Sequence, residues 1–274
     1  MTVAQALAAA AAGGVDRLDA QLLLLHALGR AEAGRAWLLA HDDEQLGGAQ
    51  ESAFLNLRER RARGEPLAYL VGHREFFGLQ LLVDKRVLVP RPETETLVEW
   101  ALELLGAGKP RVVDLGTGSG AIALAIRNSR PDAVVEAVDA SADALLVAAA
   151  NSDALGLDIA LRQSSWLTGA TARYDLIVSN PPYVADTDPH LAALAHEPLV
   201  ALAAGPQGLD DIRAISAQAA FRLKPGGWLL LEHGWDQAET VRGLLQAAGL
   251  SSVRSRRDLA GIERCSGGQR LERG

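Results

Sequence analysis

Cysteine is almost absent from this sequence: Cys265 is the only one among 274 residues. A single cysteine excludes a disulfide within the chain, and it excludes a zinc site built from several cysteines. We therefore expect no bound metal. Because stable disulfides belong mainly to secreted proteins, a chain that cannot form one is also expected to be cytoplasmic.

Long apolar runs are missing as well. The longest run of leucines spans residues 22–25, far short of the roughly 18–20 apolar residues that a membrane span needs. A secretory signal carries positive charge ahead of its apolar stretch. The alanine-rich start, MTVAQALAAAAAGG, carries none there. We therefore expect no membrane association and interpret the start as a helix.

An excess of positive charge is lacking too. The chain has 34 acidic and 27 basic residues, a formal net charge of −7, and only 4% aromatic residues. Proteins that hold DNA or RNA usually present a basic face, and many add aromatic side chains that stack on bases. Neither feature is visible here, so we expect no direct binding to nucleic acid.

The chain has two parts with different sequence patterns. Residues 1–73 carry helical signals, with Gly29 as a candidate C-cap after an apolar run. Farther on, Gly78 and the pair Asp84-Lys85 interrupt short β-rich runs, which predicts a hairpin. The predicted organisation is a helical N-terminal domain over residues 1–73, a β-hairpin linker over 74–90 and a larger domain over 91–274.

From residue 111 onward, short apolar runs alternate with helical stretches. The strand candidates are residues 111–115, 134–139, 159–163, 174–180 and 228–232. Helices such as 142–154 and 237–248 lie between them, and residues 252–268 indicate two closing strands. Apolar strands separated by helices predict an α/β fold with a mostly parallel sheet that is covered on both faces.

A glycine-rich loop, Asp114-Leu115-Gly116-Thr117-Gly118-Ser119-Gly120, joins the first of these strands to a helix. Glycines allow a tight turn and let a ligand approach the backbone closely. Asp139 ends the next strand, where a carboxylate can accept hydrogen bonds from the ribose hydroxyls of a nucleoside. The pattern fits a dinucleotide site, an S-adenosyl-L-methionine (SAM) site or a purely structural turn. Asp114 favours SAM, because an acid repels a pyrophosphate but attracts the ammonium and sulfonium groups of SAM.

The strand candidate at 174–180 runs directly into Asn180-Pro181-Pro182-Tyr183. Proline has no N–H to offer a neighbouring strand, so the strand must stop here. Ligands of such sheets bind at the C-terminal ends of the strands, which places this motif at the mouth of the same site. A turn that merely follows a strand is the alternative, since Asn-Pro pairs mark turns.

These four residues suit the task of holding a planar –NH₂ group. One N–H of an amide can donate to the Asn180 side-chain oxygen and the other to the Pro181 carbonyl, while Pro182 and Tyr183 frame the flat group. An amide nitrogen is a poor nucleophile because its lone pair is conjugated, so positioning and electrostatics must supply the acceleration. We predict Asn180, Pro181, Pro182 and Tyr183 as catalytic and substrate-binding residues.

With these motifs the chain resembles the protein-glutamine N5-methyltransferases, and more closely the bacterial release-factor glutamine methyltransferases. The resemblance extends over nearly the whole chain. Its further segments are GEPLAYLVG at 64–72, REFFGL at 74–79, LVPRPETE at 88–95, DPHL at 188–191, HEPL at 196–199 and LLLEHG at 229–234.

The resemblance implies a class I SAM-dependent methyltransferase with a Rossmann-like fold. Such an enzyme methylates the glutamine in the Gly-Gly-Gln motif of peptide-chain release factors, its partners, and releases S-adenosyl-L-homocysteine. The helical N-terminal domain would help to seat the release factor. The residues that the resemblance assigns to the cofactor are Asp114, Gly116, Thr117, Gly118, Ser119, Gly120, Asp139, Trp166 and Asn180.

One departure from the family pattern lies before Trp166. The family often has an acid there that binds the adenine amino group, whereas this chain has Ser165; we expect weaker or altered adenine binding. Other functions compatible with the motifs are methylation of an adenine in nucleic acid, methylation of a ribosomal-protein glutamine, and SAM-dependent regulation without catalysis. The intact Asn180 motif opposes the last, because a sensor needs no amide clamp.

Overall fold

The computed structural model describes residues 1–271, so the end of the predicted domain at residue 274 lies outside the described residues. The chain divides into two compact units, Met1–His73 and the part from Arg74 onward. The N-terminal unit contains five α-helices: α1 (Val3–Ala12), α2 (Arg17–Ala27), α3 (Arg35–Ala40), α4 (Gly48–Ala62) and α5 (Leu67–Val71).

The alanine-rich start forms α1, as its composition predicts. The Thr2 hydroxyl accepts a hydrogen bond from the backbone N–H of Gln5, and the Gln5 side chain accepts one from the Thr2 N–H. This capping box satisfies N–H groups that the first turn leaves without a helical partner. The buried core of the unit includes Leu24 of α2, Leu38 of α3 and Phe54 of α4.

The larger unit combines further helices with two sheets. Its strands are β1 (His73–Phe76), β2 (Leu79–Leu82), β3 (Arg111–Leu115), β4 (Val134–Asp139), β5 (Ala160–Gln163), β6 (Tyr174–Ser179), β7 (Leu223–Glu232), β8 (Ser251–Arg257) and β9 (Glu263–Gln269). Its helices are α6 (Glu95–Leu104), α7 (Ala121–Ser129), α8 (Ala142–Leu155), α9 (Asp210–Arg222) and α10 (Ala238–Ala247).

The hairpin is shorter than the predicted 74–90. Its strands, β1 and β2, lie within residues 73–82, and residues 83–90 form no strand. Asp84 explains the early end: its Oδ1 accepts a hydrogen bond from the Arg86 backbone N–H at 3.0 Å, which turns the chain.

The main sheet has seven strands in the order β5-β4-β3-β6-β7-β9-β8. The first five are parallel, and β9 runs antiparallel to both β7 and β8. This confirms the predicted α/β class and the mostly parallel sheet. The strand β6 ends at Ser179, directly before the Asn180 motif, where the prolines stop the pairing.

Strand β7 begins five residues before the predicted start at Trp228. Lys224-Pro225-Gly226-Gly227 lies inside the strand, at a shift in register: Tyr174 pairs with Leu223, but Leu176 pairs with Trp228. Proline and paired glycines usually indicate a turn, and here they form a bulge instead. A Cβ at Gly227 would lie 3.0 Å from the carbonyl oxygens of Tyr174 and Asp175, so the close approach of the strands requires glycine.

Helices cover both faces of the sheet. Along β6, Leu176 and Val178 belong to the core on one face, which also includes Leu97 of α6. Ile177 belongs to the core on the other face, with Ile212 of α9. Alternate side chains of a strand point to opposite faces, so a nearly continuous apolar run is buried on both sides. The carboxyl ends of β3, β4 and β6 therefore lie at one edge of the sheet.

Candidate active site

A pocket of about 580 Å³ lies at the carboxyl ends of β3, β4 and β6. Half of the predicted site residues line it: Gly116, Gly118, Asp139, Trp166, Asn180 and Pro182. The sheet topology thus brings the glycine loop, the candidate ribose acid and the candidate amide clamp to one cavity. The remaining predicted residues, which do not line it, are Asp114, Thr117, Ser119, Gly120, Pro181 and Tyr183.

The glycine loop needs its glycines for two different reasons. Gly116, Gly118 and Gly120 have φ values of 70°, 55° and 85°, a region that side chains other than glycine rarely adopt. At Gly116 a Cβ would also lie 3.2 Å from Cζ3 of the Trp166 ring. The bare backbone at this position lets the indole close directly on the loop.

Asp139 holds the loop and faces the pocket at the same time. Its Oδ2 accepts a hydrogen bond from the Gly118 N–H, and its Oδ1 accepts one from the Ser141 N–H, both at 2.9 Å. A carboxylate has about four acceptor sites, so it can still accept bonds from a diol. The loop is further tied to β4, since the N–H groups of Gly116 and Thr117 donate to the Val138 carbonyl at 2.8 and 3.0 Å.

Asp114 is completely buried behind the loop. Its Oδ2 accepts hydrogen bonds from the Thr117 hydroxyl at 2.6 Å and from the Ala123 N–H at 3.2 Å. Its Oδ1 has no hydrogen-bond partner among residues 1–271. Burial raises the pKa of this carboxyl to about 7, and the nearby charge of Asp139 adds to the shift. A buried acid with an unused oxygen beside a glycine loop fits a ligand that carries positive charge.

Asp114 makes the free energy of unfolding depend on pH. The folded pKa of about 7 exceeds the ordinary 3.8, so between these values the folded state keeps a proton that the unfolded state releases. Stability therefore decreases as pH rises through this window and levels off above it, a change on the order of 4 kcal/mol. We expect Asp114→Asn to remove this component, as measured by urea unfolding from about pH 4 to about pH 8. Parallel pH curves for the two proteins would contradict the assignment.

Trp166 closes one side of the pocket in an uncommon backbone conformation. Its φ is 51°, which for a bulky residue marks a position held by its surroundings. Burial raises the pKa of the Asp211 carboxyl, and an interaction with the Trp166 side chain partly opposes this shift. Asp211, Ser164 and Ser165 all line the pocket. Asp211 is a site residue that the sequence did not reveal, because it follows no motif and comes from α9.

The side chain of Asn180 is oriented by a second residue. Its Nδ2 donates a hydrogen bond to the Thr94 hydroxyl oxygen at 3.2 Å, which leaves Oδ1 available as an acceptor. Pro181 and Pro182 are buried. The Tyr183 hydroxyl donates to Glu232 Oε1 at 3.3 Å, and burial, above all, raises its pKa well above the ordinary value. Tyr183 therefore remains a neutral donor.

A loop that follows the Asn180 motif covers another side of the pocket through Pro198, Val200 and Ala201. Glu197 anchors it: its Oε2 accepts a hydrogen bond from the Val89 N–H at 3.1 Å, and its Oε1 pairs with the Arg91 guanidinium. Glu197 is only 7% exposed. The segment containing Val89 and Arg91 is continuous with residues 85–88, which line the pocket. Of these four, only Leu88 belongs to a segment that carries the family resemblance.

His233 is not part of the pocket lining. It is fully buried, with its Nδ1 at 2.9 Å from the Gly234 carbonyl oxygen and its Nε2 at 2.8 Å from the Ser266 hydroxyl. A carbonyl can only accept, so Nδ1 is the donor and Nε2 the acceptor. Burial lowers the pKa of the ring. His233 is a neutral structural residue.

Within residues 1–271, no group of three or more His, Cys, Asp or Glu side chains is placed to hold a metal ion. No helix in the same range has both the length and the apolar character needed to cross a membrane.

Comparison with known proteins agrees with this geometry. The family model described as "Methyltransferase small domain" matches residues 94–205, and the one described as "PrmC N-terminal domain" matches residues 2–72. A solved methyltransferase structure from Pyrococcus furiosus has a TM-score of 0.55 at 18% identity, covering 79% of this chain and 98% of that one. At this identity the likeness shows the fold alone.

Two curated relatives are much more similar in sequence. The chain is 51% identical over 269 residues to a release factor glutamine methyltransferase of Xylella fastidiosa (strain Temecula1), which covers 96% of this chain and 97% of the relative. It is 52% identical over 260 residues to a protein of the same name from Bordetella pertussis. That match covers 93% of this chain and 95% of the relative. Identity at this level over nearly the full length of both partners shows that this chain belongs to the release factor glutamine methyltransferase family.

Proposed function

We propose that this chain transfers a methyl group from SAM to the side-chain amide nitrogen, N5, of the glutamine in the Gly-Gly-Gln motif of peptide-chain release factors. The observation that carries the proposal is that Gly118 and Asp139 line the same pocket as Asn180 and Pro182. A nucleoside-type subsite thereby adjoins an amide clamp. Membership of the family supports the release factor as substrate, and it does not favour adenine in nucleic acid.

The residues around the pocket fit SAM. Asp139 would accept hydrogen bonds from the ribose hydroxyls, the backbone at Gly116 and Gly118 would lie along the ligand, and Trp166 would lie beside the adenine. The unused Oδ1 of Asp114 is buried, and the positive end of the ligand would favour the ionised form of this carboxyl. When bound, SAM supplies an electrophilic methyl group attached to a positively charged sulfur.

Asn180 and Pro181 prepare the substrate amide. Thr94 occupies the Asn180 Nδ2, so the Asn180 Oδ1 is free to accept one N–H of the substrate, and the Pro181 carbonyl accepts the other. These two acceptors hold the nitrogen in place and polarise it. No strong general base is required, because the nitrogen becomes cationic and acidic once it carries the methyl group. Tyr183 and Pro182 frame the flat amide.

The helical unit formed by Met1–His73 is proposed to seat the release factor. Its match to the "PrmC N-terminal domain" description supports a role specific to this family. The docking role stays a prediction, as do the individual roles given to the site residues.

Mass spectrometry tests the proposed function directly. The purified chain is incubated with SAM and an unmodified release factor, and the peptide that contains Gly-Gly-Gln is analysed. We expect one added methyl group on that glutamine. A release factor in which alanine replaces this glutamine serves as the matched control and should remain unmodified.

The opposite result is equally informative. If SAM binds but the peptide stays unmodified, the release-factor assignment is wrong. Ribosomal proteins and then nucleic acids would be the next substrates to assay. Turnover on nucleic acid that falls steeply with salt would establish the adenine alternative.

A further inference from the structure

Trp235 is the one tryptophan of the chain whose side chain stays mainly in solvent. Its relative exposure is 71%, whereas Trp100 and Trp228 are buried. Trp37 stacks on a histidine with ring centroids 4.2 Å apart, and Trp166 closes on the glycine loop. A tryptophan in water forgoes the burial of its large apolar ring, and tryptophan is among the residues most enriched in the energetic centres of protein interfaces. Trp235 is therefore a candidate contact for a partner.

The turn that carries Trp235 is fixed to the amide clamp. It joins β7 to α10, and its Gly234 N–H donates a hydrogen bond to the Gln237 side-chain oxygen at 2.8 Å. The Gln237 Nε2 in turn donates to the Tyr183 backbone carbonyl at 3.0 Å. Because β6 and β7 are parallel neighbours, the clamp and this turn follow strand ends at the same edge of the sheet. Trp235 is thus held beside the clamp, while its own side chain remains open to solvent.

The loop after the clamp presents two further apolar side chains to solvent. Leu199 is 61% exposed and Val200 is 79% exposed, and these two residues begin a short 3₁₀ helix. Val200 also lines the pocket. Val184, which directly follows Tyr183, exchanges backbone hydrogen bonds of 2.9 and 3.0 Å with the same loop. The exposed pair is therefore also carried on backbone that is fixed to the clamp.

Exposed apolar side chains occur singly on most protein surfaces and need no explanation there. The rim residues Leu199, Val200 and Trp235 differ, because both of the loops that carry them are fixed to the clamp. A loop whose backbone is already held loses little conformational freedom when a partner binds, which favours association. The rim residues therefore offer preorganised apolar contacts beside the pocket.

A protein substrate needs more contact than one side chain inside a pocket can supply, because specific protein–protein interfaces bury about 800 Å² on each partner. We propose that the rim residues form a docking surface that binds the release factor around the glutamine entering the pocket, with Trp235 as the main anchor. Apolar and flat groups beside that glutamine lie on the indole ring and on the side chains of Leu199 and Val200. This assignment rests on the proposed function, since it adds a contact surface for the same protein substrate.

Steady-state methylation of a release factor tests this docking surface. Trp235→Ala should raise KM for the release factor about 10-fold or more, the scale of one interface hot spot. Its kcat should change much less, because a docking contact is equally strong in the ground state and in the transition state. Trp235→Phe keeps a large aromatic ring and should retain most of the affinity. Leu199→Ser should raise KM by a smaller factor, and the Kd for SAM should stay unchanged in all three variants.

Phe221→Ala is the matched control for the loss of an exposed aromatic ring. Phe221 is 76% exposed, but it lies on α9 ten residues beyond the pocket-lining Asp211, which is about 15 Å along the helix. Its replacement should leave KM for the release factor unchanged. A wild-type KM for Trp235→Ala, or an equally large increase in Phe221→Ala, would overturn the docking surface.

Calorimetric titration of a release factor in the presence of S-adenosyl-L-homocysteine measures binding without turnover. Trp235→Ala should raise the Kd for the release factor by about the same factor as KM. Equal Kd values for the wild type and this variant would refute the docking surface. Binding that depends on Trp235, to a release factor that stays unmodified when SAM is supplied, would instead refute the proposed function. A release factor that does not bind the wild type at all would refute both.

Light scattering of the free chain tests the alternative occupant of this surface, a second copy of the same chain. We expect the wild type and Trp235→Ala to have the same mass in solution. A wild-type dimer that Trp235→Ala dissociates would show that the rim residues contact a second copy, and it would overturn the docking surface for the release factor.

Discussion

Replacement of Asn180 by alanine is expected to lower kcat by about 10²-fold or more, the scale of losing one well-positioned polar group. The carboxamide sits at the end of β6, where Thr94 holds its Nδ2, and its oxygen is the acceptor that the substrate amide requires. Alanine leaves the amide without that acceptor. SAM affinity should change little, because the glycine loop and Asp139 stay intact. Single-turnover methylation of a release factor and calorimetric titration of SAM measure the two quantities separately.

A matched control is available on α7. Asn128 is an exposed asparagine, and Asn128→Ala should leave both kcat and SAM affinity unchanged. If Asn180→Ala retained nearly the full rate, the amide-clamp account would be wrong. If it lost rate and SAM binding in parallel, Asn180 would belong mainly to the cofactor site.

Replacement of Asp139 by alanine is expected to weaken SAM binding by about 10²-fold, because hydrogen bonds to a charged group contribute roughly 1.5–3 kcal/mol each. Two losses combine. The ribose hydroxyls lose their acceptor, and the backbone N–H groups of Gly118 and Ser141 lose the carboxylate that accepts from them at 2.9 Å. The loop then loses part of its preorganisation for the ligand. Isothermal titration calorimetry gives the Kd.

Two further variants separate these contributions. Asp139→Asn keeps one oxygen acceptor, so its loss of affinity should lie between those of the wild type and Asp139→Ala. Asp153, an exposed acid on α8, provides a control for the loss of one negative charge, and Asp153→Ala should bind SAM normally. An unchanged Kd in Asp139→Ala would remove Asp139 from the cofactor site.

Together these two substitutions divide the pocket into two functions. Asp139→Ala is expected to act on the Kd for SAM, whereas Asn180→Ala is expected to act on kcat at saturating SAM. A mutation that lowers kcat after binding is complete has removed an interaction made chiefly in the transition state. Comparing the two variants therefore tests whether the pocket has separate cofactor and substrate subsites, in addition to testing each residue.

The sequence predicted much of the architecture because the relevant signals are local. Apolar runs and capping residues lie within the elements that they specify, so β3 and β4 have the predicted bounds. The prolines after Ser179 ended β6 as expected. The predicted start of β7 was wrong, because proline and two glycines normally interrupt a strand. Only the pairing of β7 with β6 shows that they form a bulge here.

The sequence by itself determined the fold class and the two motifs that line the pocket, since both follow from short patterns of residues. Only the tertiary structure decided which side chains support those motifs. Thr94 and Glu232 lie 86 and 52 positions from Asn180 in the chain, and Asp211 reaches Trp166 from α9. Such neighbours depend on strand order and on the packing of helices against the sheet. These arise from burial of apolar surface over the whole unit, which no local pattern encodes.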